Sequence, residues 1–271
     1  MQPFLLLLAA FATAVLGAVC GIGGGILLKP LLDAFSGMDA AAASFLSGCT
    51  VLSMASVSLL RSWVHARKER SENQRAENRM DFRACALLSA GAVAGGFFGR
   101  QLFRWLAEGI AGPAAGAAQS AAILLMCAAV LAYLLVKNRV RTHKITHFTP
   151  IAGTGLALGT LSSFLGIGGG PFNHVALSYL FGMDAKTGAA NSLLIVFFAQ
   201  AASLAGTALT GSWPAFSVPG LLLMCAAGAL GGFVGAGIAK RAGQRHVEWT
   251  LRAALVLIIG VSAYNMASAL I

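Results

Sequence analysis

Charge is what this chain has least of. Only 10% of its 271 residues are Asp, Glu, Lys or Arg, against about 25% in a soluble domain. So little polar side chain cannot cover a water-facing globule. With 58% hydrophobic residues, the chain reads as a polytopic membrane protein. Acidic residues are scarcest, 9 against 19 bases, giving a net charge of +10. In a soluble protein that excess would suggest nucleic acid. Here the bases sit in the connecting segments, so membrane orientation and anionic lipid account for them, and no nucleic-acid partner is expected. The five cysteines (Cys20, Cys49, Cys85, Cys127 and Cys225) are odd in number, lie in or beside apolar segments and form no CxxC pair. They read as small packing residues. The chain has no HExxH, GxSxG or clustered His/Cys set. The expectation is no enzyme, no metal and no cofactor. It also lacks an ATP-binding loop, so any transport would draw on an ion gradient or the cargo's own.

Glycine, in contrast, is abundant and patterned. Gly21-Ile22-Gly23-Gly24-Gly25 returns 145 positions later as Gly166-Ile167-Gly168-Gly169-Gly170. At the same offset Gly37-Met38-Asp39-Ala40 returns as Gly182-Met183-Asp184-Ala185. A third pair, Gly95-Gly96-Phe97 with Gly99 and Gly231-Gly232-Phe233 with Gly235, is offset by 136, so one loop is shorter in the second copy. A duplicated, broken membrane helix points to a transporter core. A dinucleotide loop is excluded, because Ile26 and Pro171 stand where its last glycine belongs.

Apolar segments long enough to cross a bilayer are Pro3–Cys20, Ala40–Leu60, Ala84–Phe103, Ala114–Val136, Pro150–Leu165, Ala185–Leu209, Phe216–Ala239 and Val247–Leu270. Leu5–Ala18 lacks the positive flank of a signal peptide and reads as mature structure. Ile26–Phe35 and Pro171–Phe181 follow the glycine blocks and are half-spans. The predicted fold is all-α, with two repeats, residues 1–140 and 141–271. Each holds a glycine-broken helix and half-helix plus three further helices. Of the 19 bases, 14 fall in Arg61–Arg83, Lys137–Lys144 and Lys240–Arg245. All three segments reach the cytoplasmic side only if each half makes an odd number of crossings, which inverts one half relative to the other. Arg61–Arg79 reads as a solvated loop or short helix. The lines Gly91, Gly95, Gly99 and Gly228, Gly232, Ala236 read as close helix packing.

Backbone in a membrane must satisfy its own polar groups unless it lines a cavity or is buried in protein. The freed amides of Gly23, Gly24 and Gly25 and of Gly168, Gly169 and Gly170, at the positive ends of the half-helices, could receive an anion. One turn on, Lys29 aligns with His174, beside Asn173. Lys29 reads either as a cargo counter-charge or as a snorkelling side chain. His174 reads as a cargo partner, a proton carrier or a packing residue. Asn191, Ser192 and Gln200 could line the path or bridge helices, and Ser162 and Ser163 could add donors. Asp39 and Asp184 read first as helix N-caps and second, with His174, as coupling groups.

At these residues the chain resembles the sulfite exporter TauE/SafE family, also described as 4-toluene sulfonate uptake permease-like. The resemblance is carried by Gly21–Gly25 with Pro30, by Gly166–Pro171, and by Gly182–Lys186 with Gly188 and Asn191. It implies a bacterial inner-membrane secondary transporter, an exporter of sulfite or an organosulfonate. Its partners would be a small anion, membrane lipid and a coupling proton or ion. Homodimerisation is left open. The rival readings are an anion channel and a non-catalytic membrane assembly partner.

Overall fold

The structure is a computed structural model. It describes residues 3–70, 82–109, 113–137, 142, 147–165, 169–211 and 213–270. It contains α1 (Pro3–Cys20), α2 (Gly25–Phe35), α3 (Ala40–Arg70), α4 (Phe82–Gly109), α5 (Pro113–Val136), α6 (Phe148–Phe164), α7 (Gly170–Phe181), α8 (Ala185–Thr210), α9 (Val218–Arg241) and α10 (Gln244–Leu270). No strand occurs among the described residues. Among the described residues five stretches are long and apolar enough to span a bilayer: Ala41–Val64, Gln119–Val136, Ala185–Thr210, Val218–Arg241 and Gln244–Ser268. The helix boundaries match the predicted segments closely, because apolar length with glycine, proline and polar punctuation is a strong signal in a membrane chain. One boundary moves. Arg61 to Arg70, predicted as loop or short helix, continues α3. Its lysine, arginine and glutamate are good helix formers, and Arg61 stacks over the Phe233 ring and donates to the Phe233 carbonyl.

Each half sends its helices against the other. Gly231 and Gly235 of α9 lie on Phe11, Ala14, Val15 and Ala18 of α1, while Gly228 and Gly232 lie on Thr50 and Met54 of α3. On the other side Gly91, Gly95 and Gly99 of α4 lie on α6, from Ala152 through Leu156 and Thr160 to Phe164. Gly96 lies on Ala199 and Ala202 of α8. These registers advance together, so α9 runs parallel to α1 and α3, and α4 runs parallel to α6. A different register joins α3 to α8. Gly48 faces Gln200 and Leu204, while Val51 and Val196 meet over Gly23. Contacts that advance along α3 retreat along α8.

Lipid offers no hydrophobic drive to bring helices together, so backbone closeness supplies the packing energy. A Cβ on Gly95 would overlap Leu156 O and Thr160 N. Gly95→Leu is expected to force α4 off α6 and to remove the monodisperse peak in detergent size-exclusion chromatography. Gly153, with nothing near its missing Cβ, should accept leucine with an unchanged peak.

Lys137, Lys186 and Lys240 gather at one end. Lys186, at the start of α8, donates to Lys240 O at 3.0 Å and Ala242 O at 3.3 Å. Lys137, after α5, meets Glu248 of α10 at 3.2 Å.

Candidate functional site

The first glycine block joins α1 to α2 and is wholly buried. Gly21, Gly23 and Gly24 take positive φ, from 60° to 84°, which other residues resist. This turn lets α2 double back beside α1. Of the second block only Gly169 and Gly170 are described; Gly168, predicted as a cargo ligand, lies outside the described residues. Gly24 and Gly169 both stand before their half-helix with φ of 60°. Ser47 Oγ donates to Gly25 O and Ser192 Oγ to Gly170 O, each at 3.4 Å. All these residues obey the 145-position offset, so the two breaks have related local geometry.

The breaks also touch one another. A Cβ on Gly170 would overlap the Ile22 backbone, and one on Gly21 the Ala189 backbone. Ser192 Oγ ties them together, donating to Gly21 O at 2.6 Å as well. Close approach is therefore one reason for the glycines, beside any role of their amides.

The polar side chains beyond the breaks are unequal. His174 Nε2 donates to Cys20 O, pinning α7 to the end of α1. Lys29, aligned with it, is not snorkelling: it is 1% exposed. Its Nζ donates to Asp33 Oδ2 at 2.7 Å and to Gln119 Oε1 at 2.9 Å. Gln119 Nε2 in turn donates to Leu165 O at 2.7 Å. Gln119 escaped the sequence reading. Its signal was a long amide in the otherwise apolar α5.

Asn173 is fully buried, and neither its Nδ2 nor its Oδ1 has a hydrogen-bond partner. The buried hydroxyls of Ser162 and Ser163 are likewise unpaired, and Ser162 lies directly against Gly169 at the start of α7. In the first copy Gly17 replaces Ser162 and packs on Gly24, and Leu28 replaces Asn173. The second half-helix therefore carries open hydrogen-bonding capacity where the first is closed and apolar. Gln200 Nε2 and Ser44 Oγ are further buried unpaired atoms.

The other predicted residues sort clearly. Asn191 Nδ2 donates to Thr187 O of its own helix at 2.9 Å and lies 3.5 Å from Met183 Sδ. Asp184 is an N-cap, accepting from Thr187 N at 2.7 Å. Asp39 holds the equivalent place before α3, its carbonyl accepting from Ala43 N at 2.9 Å. Asp184→Ala is expected to cost about 1 kcal/mol through the lost cap, read as a lower melting temperature with transport intact. Transport that stops in a still-folded variant would restore the coupling role. Among the described residues no three His, Cys, Asp or Glu side chains gather as a metal ion would need.

Comparison with known proteins adds one finding. The family model described as sulfite exporter TauE/SafE matches residues 6–266. No curated protein and no solved structure matches.

Proposed function

Since the chain belongs to the sulfite exporter TauE/SafE family, a family of membrane transporters, we propose that it carries a small sulfur-containing anion, sulfite or an organosulfonate, out across a bacterial inner membrane. The cargo binds between residues 1–140 and 141–271, beside the start of α7, and the halves rock against each other to open the site to either face.

The observation that carries this reading is Asn173. A buried amide with no partner costs about 1–3 kcal/mol for each orphaned group, and such groups are retained where a ligand or water completes them. Asn173 Nδ2 and the hydroxyls of Ser162 and Ser163 are donors suited to the oxygens of a sulfite or sulfonate group. The positive end of α7 adds to them. The opposed registers of α3 and α8, and the gathering of Lys137, Lys186 and Lys240 at one end, support two inverted halves with that end in the cytoplasm.

The test is uptake of labelled sulfite and of labelled sulfoacetate into proteoliposomes. Saturable flux is expected. Flux that rises linearly to high concentration would indicate a channel, and no flux from folded protein would remove this cargo class. Asn173→Leu installs the residue of the equivalent first-repeat position, Leu28, so it should fold. It is expected to raise the half-saturation concentration at least tenfold, the equivalent of about 1.4 kcal/mol. An unchanged value would separate Asn173 from the cargo.

A further inference from the structure

The buried ion pair on α2 bears on how transport is driven. Lys29 and Asp33 lie one helical turn apart, 2.7 Å between Nζ and Oδ2. Asp33 Oδ1 is buried without a hydrogen bond, although the side chain as a whole is 21% exposed. One carboxylate oxygen is thus engaged by the ammonium and the other is open. Through Gln119 the same ammonium is linked to Leu165 O, at the end of α6 and directly before the second glycine block. The pair exists in one repeat only, for His174 and Ser178 hold the equivalent positions. It therefore lies beside the cargo region and can respond to it.

We propose that Asp33 is the site of the coupling proton. An anionic cargo competes with Asp33 for the Lys29 ammonium. When the cargo takes it, Asp33 is left as an uncompensated, largely buried carboxylate, which is unfavourable. A proton from water, bound on a carboxylate oxygen, removes that charge. Cargo and proton then cross together, so export runs where the outward cargo gradient exceeds the inward proton gradient. On release Asp33 returns the proton to water and pairs with Lys29 again. On loading, an O–H bond of hydronium breaks as the Asp33 O–H bond forms, and release to water reverses this. This step rests on the transport reading above.

Among the described residues, no other side chain makes an ion pair with Asp33. α1, α5 and the first 20 residues of α3 contain no Asp, Glu, Lys or Arg, and α9 has none before Lys240. Cys49 is the titratable side chain in that part of α3, and Cys20 ends α1. On α10, His246, Glu248 and Arg252 lie near its start, where Glu248 binds Lys137. Tyr264 is the titratable group of α10 near α2, stacking on Phe35 at 6.2 Å, and Asn265 donates to Pro30 O at 2.9 Å. Of the other candidates for proton carriage, His174 is engaged with Cys20 O and Asp184 with Thr187 N, and Asp39 is exposed ahead of α3, away from the buried pair.

The experiment compares the unaltered protein with Asp33→Asn and Asp33→Glu in proteoliposomes, with the membrane potential clamped. Labelled sulfoacetate is the probe, because it stays ionised near neutral pH whereas sulfite takes up a proton of its own. Two fluxes are read: exchange of internal for external sulfoacetate, and accumulation driven by a pH gradient. The unaltered protein should accumulate label about tenfold for each unit of pH gradient if one proton accompanies each anion. Asp33→Asn should keep exchange and lose accumulation; Asp33→Glu should keep both. Accumulation by Asp33→Asn equal to that of the unaltered protein would overturn the coupling role while leaving transport standing. Loss of exchange together with accumulation in folded Asp33→Asn would make Asp33 structural and also overturn it. Absence of both fluxes in the unaltered protein would overturn the transport reading itself, and the coupling site with it.

Discussion

Gly170→Leu is expected to yield no folded protein, while Gly169→Leu, one residue earlier, should fold and fail to transport. A Cβ at Gly170 would meet the Cα, carbonyl carbon and oxygen of Ile22. These are backbone atoms inside a turn where Gly21 and Gly23 already hold positive φ, so no side chain can rotate aside. Overfilling a packed core costs about 1–3 kcal/mol when neighbours can adjust, and the cost here exceeds that range. At Gly169 the overlap is with Ser162 Oγ and Cβ, with the Ser162 Cα at 3.0 Å, and the φ of 60° adds about 1–2 kcal/mol for a residue bearing a Cβ. The Ser162 hydroxyl can rotate aside and α6 need give only slightly, so Gly169→Leu should survive at reduced stability with its leucine lying over the donors at the start of α7. Size-exclusion chromatography in detergent and sulfite flux from the same preparations separate the two. A monodisperse, transporting Gly170→Leu would mean that the two breaks do not touch. Normal flux in Gly169→Leu would remove the cargo from that half-helix.

Lys29→Met should destabilise the protein by about 3 kcal/mol, with most of the loss recovered in the double variant Lys29→Met/Asp33→Asn. Breaking a buried ion pair from one side leaves the other charge uncompensated, at about 3–5 kcal/mol. The lower end applies because Asp33 is partly exposed. Gln119 Oε1 also loses its donor. Neutralising Asp33 as well removes the orphaned charge. Thermal melting in detergent, read for both single variants and the double, gives the coupling between the sites. Additive losses would show that the two side chains do not depend on each other. Lys29→Met should also lack sulfite flux, as should the double variant, because recovered stability does not restore a positive charge.

Much of this architecture could be read before any coordinates. The glycine blocks predicted the break at Gly21–Gly25 and the start of a new helix at Gly170, and apolar length predicted the helices around them. Backbone hydrogen bonds in lipid must close within a helix, so hydrophobic length and its punctuation leave few choices. The small-residue lines on α4 and α9 were read as packing faces and are packing faces. The site was less legible. Lys29 was read as free for cargo or drawn to a surface. The spacing to Asp33, four residues on in one helix, was in the sequence but was not read as a pair. Gln119 could not be assigned to Lys29, because 90 residues separate them and α5 offers no motif. Asn173 was named as a candidate, but its lack of a partner is a property of its surroundings.

The amino-acid order alone determined that this is a helical membrane chain, twice built around a glycine-broken span, with its positive charge concentrated in three connecting segments. Those properties follow from composition and local spacing, which act through the cost of exposing polar backbone to lipid. The tertiary structure alone decided that α9 lies on α1 and α3, that Gly170 meets Ile22, and that Lys29 is held between Asp33 and Gln119 while Asn173 is left unpaired. Residues far apart in the chain become neighbours only when packed helices bring their backbones within reach, and whether a buried polar atom is satisfied depends on which neighbours arrive.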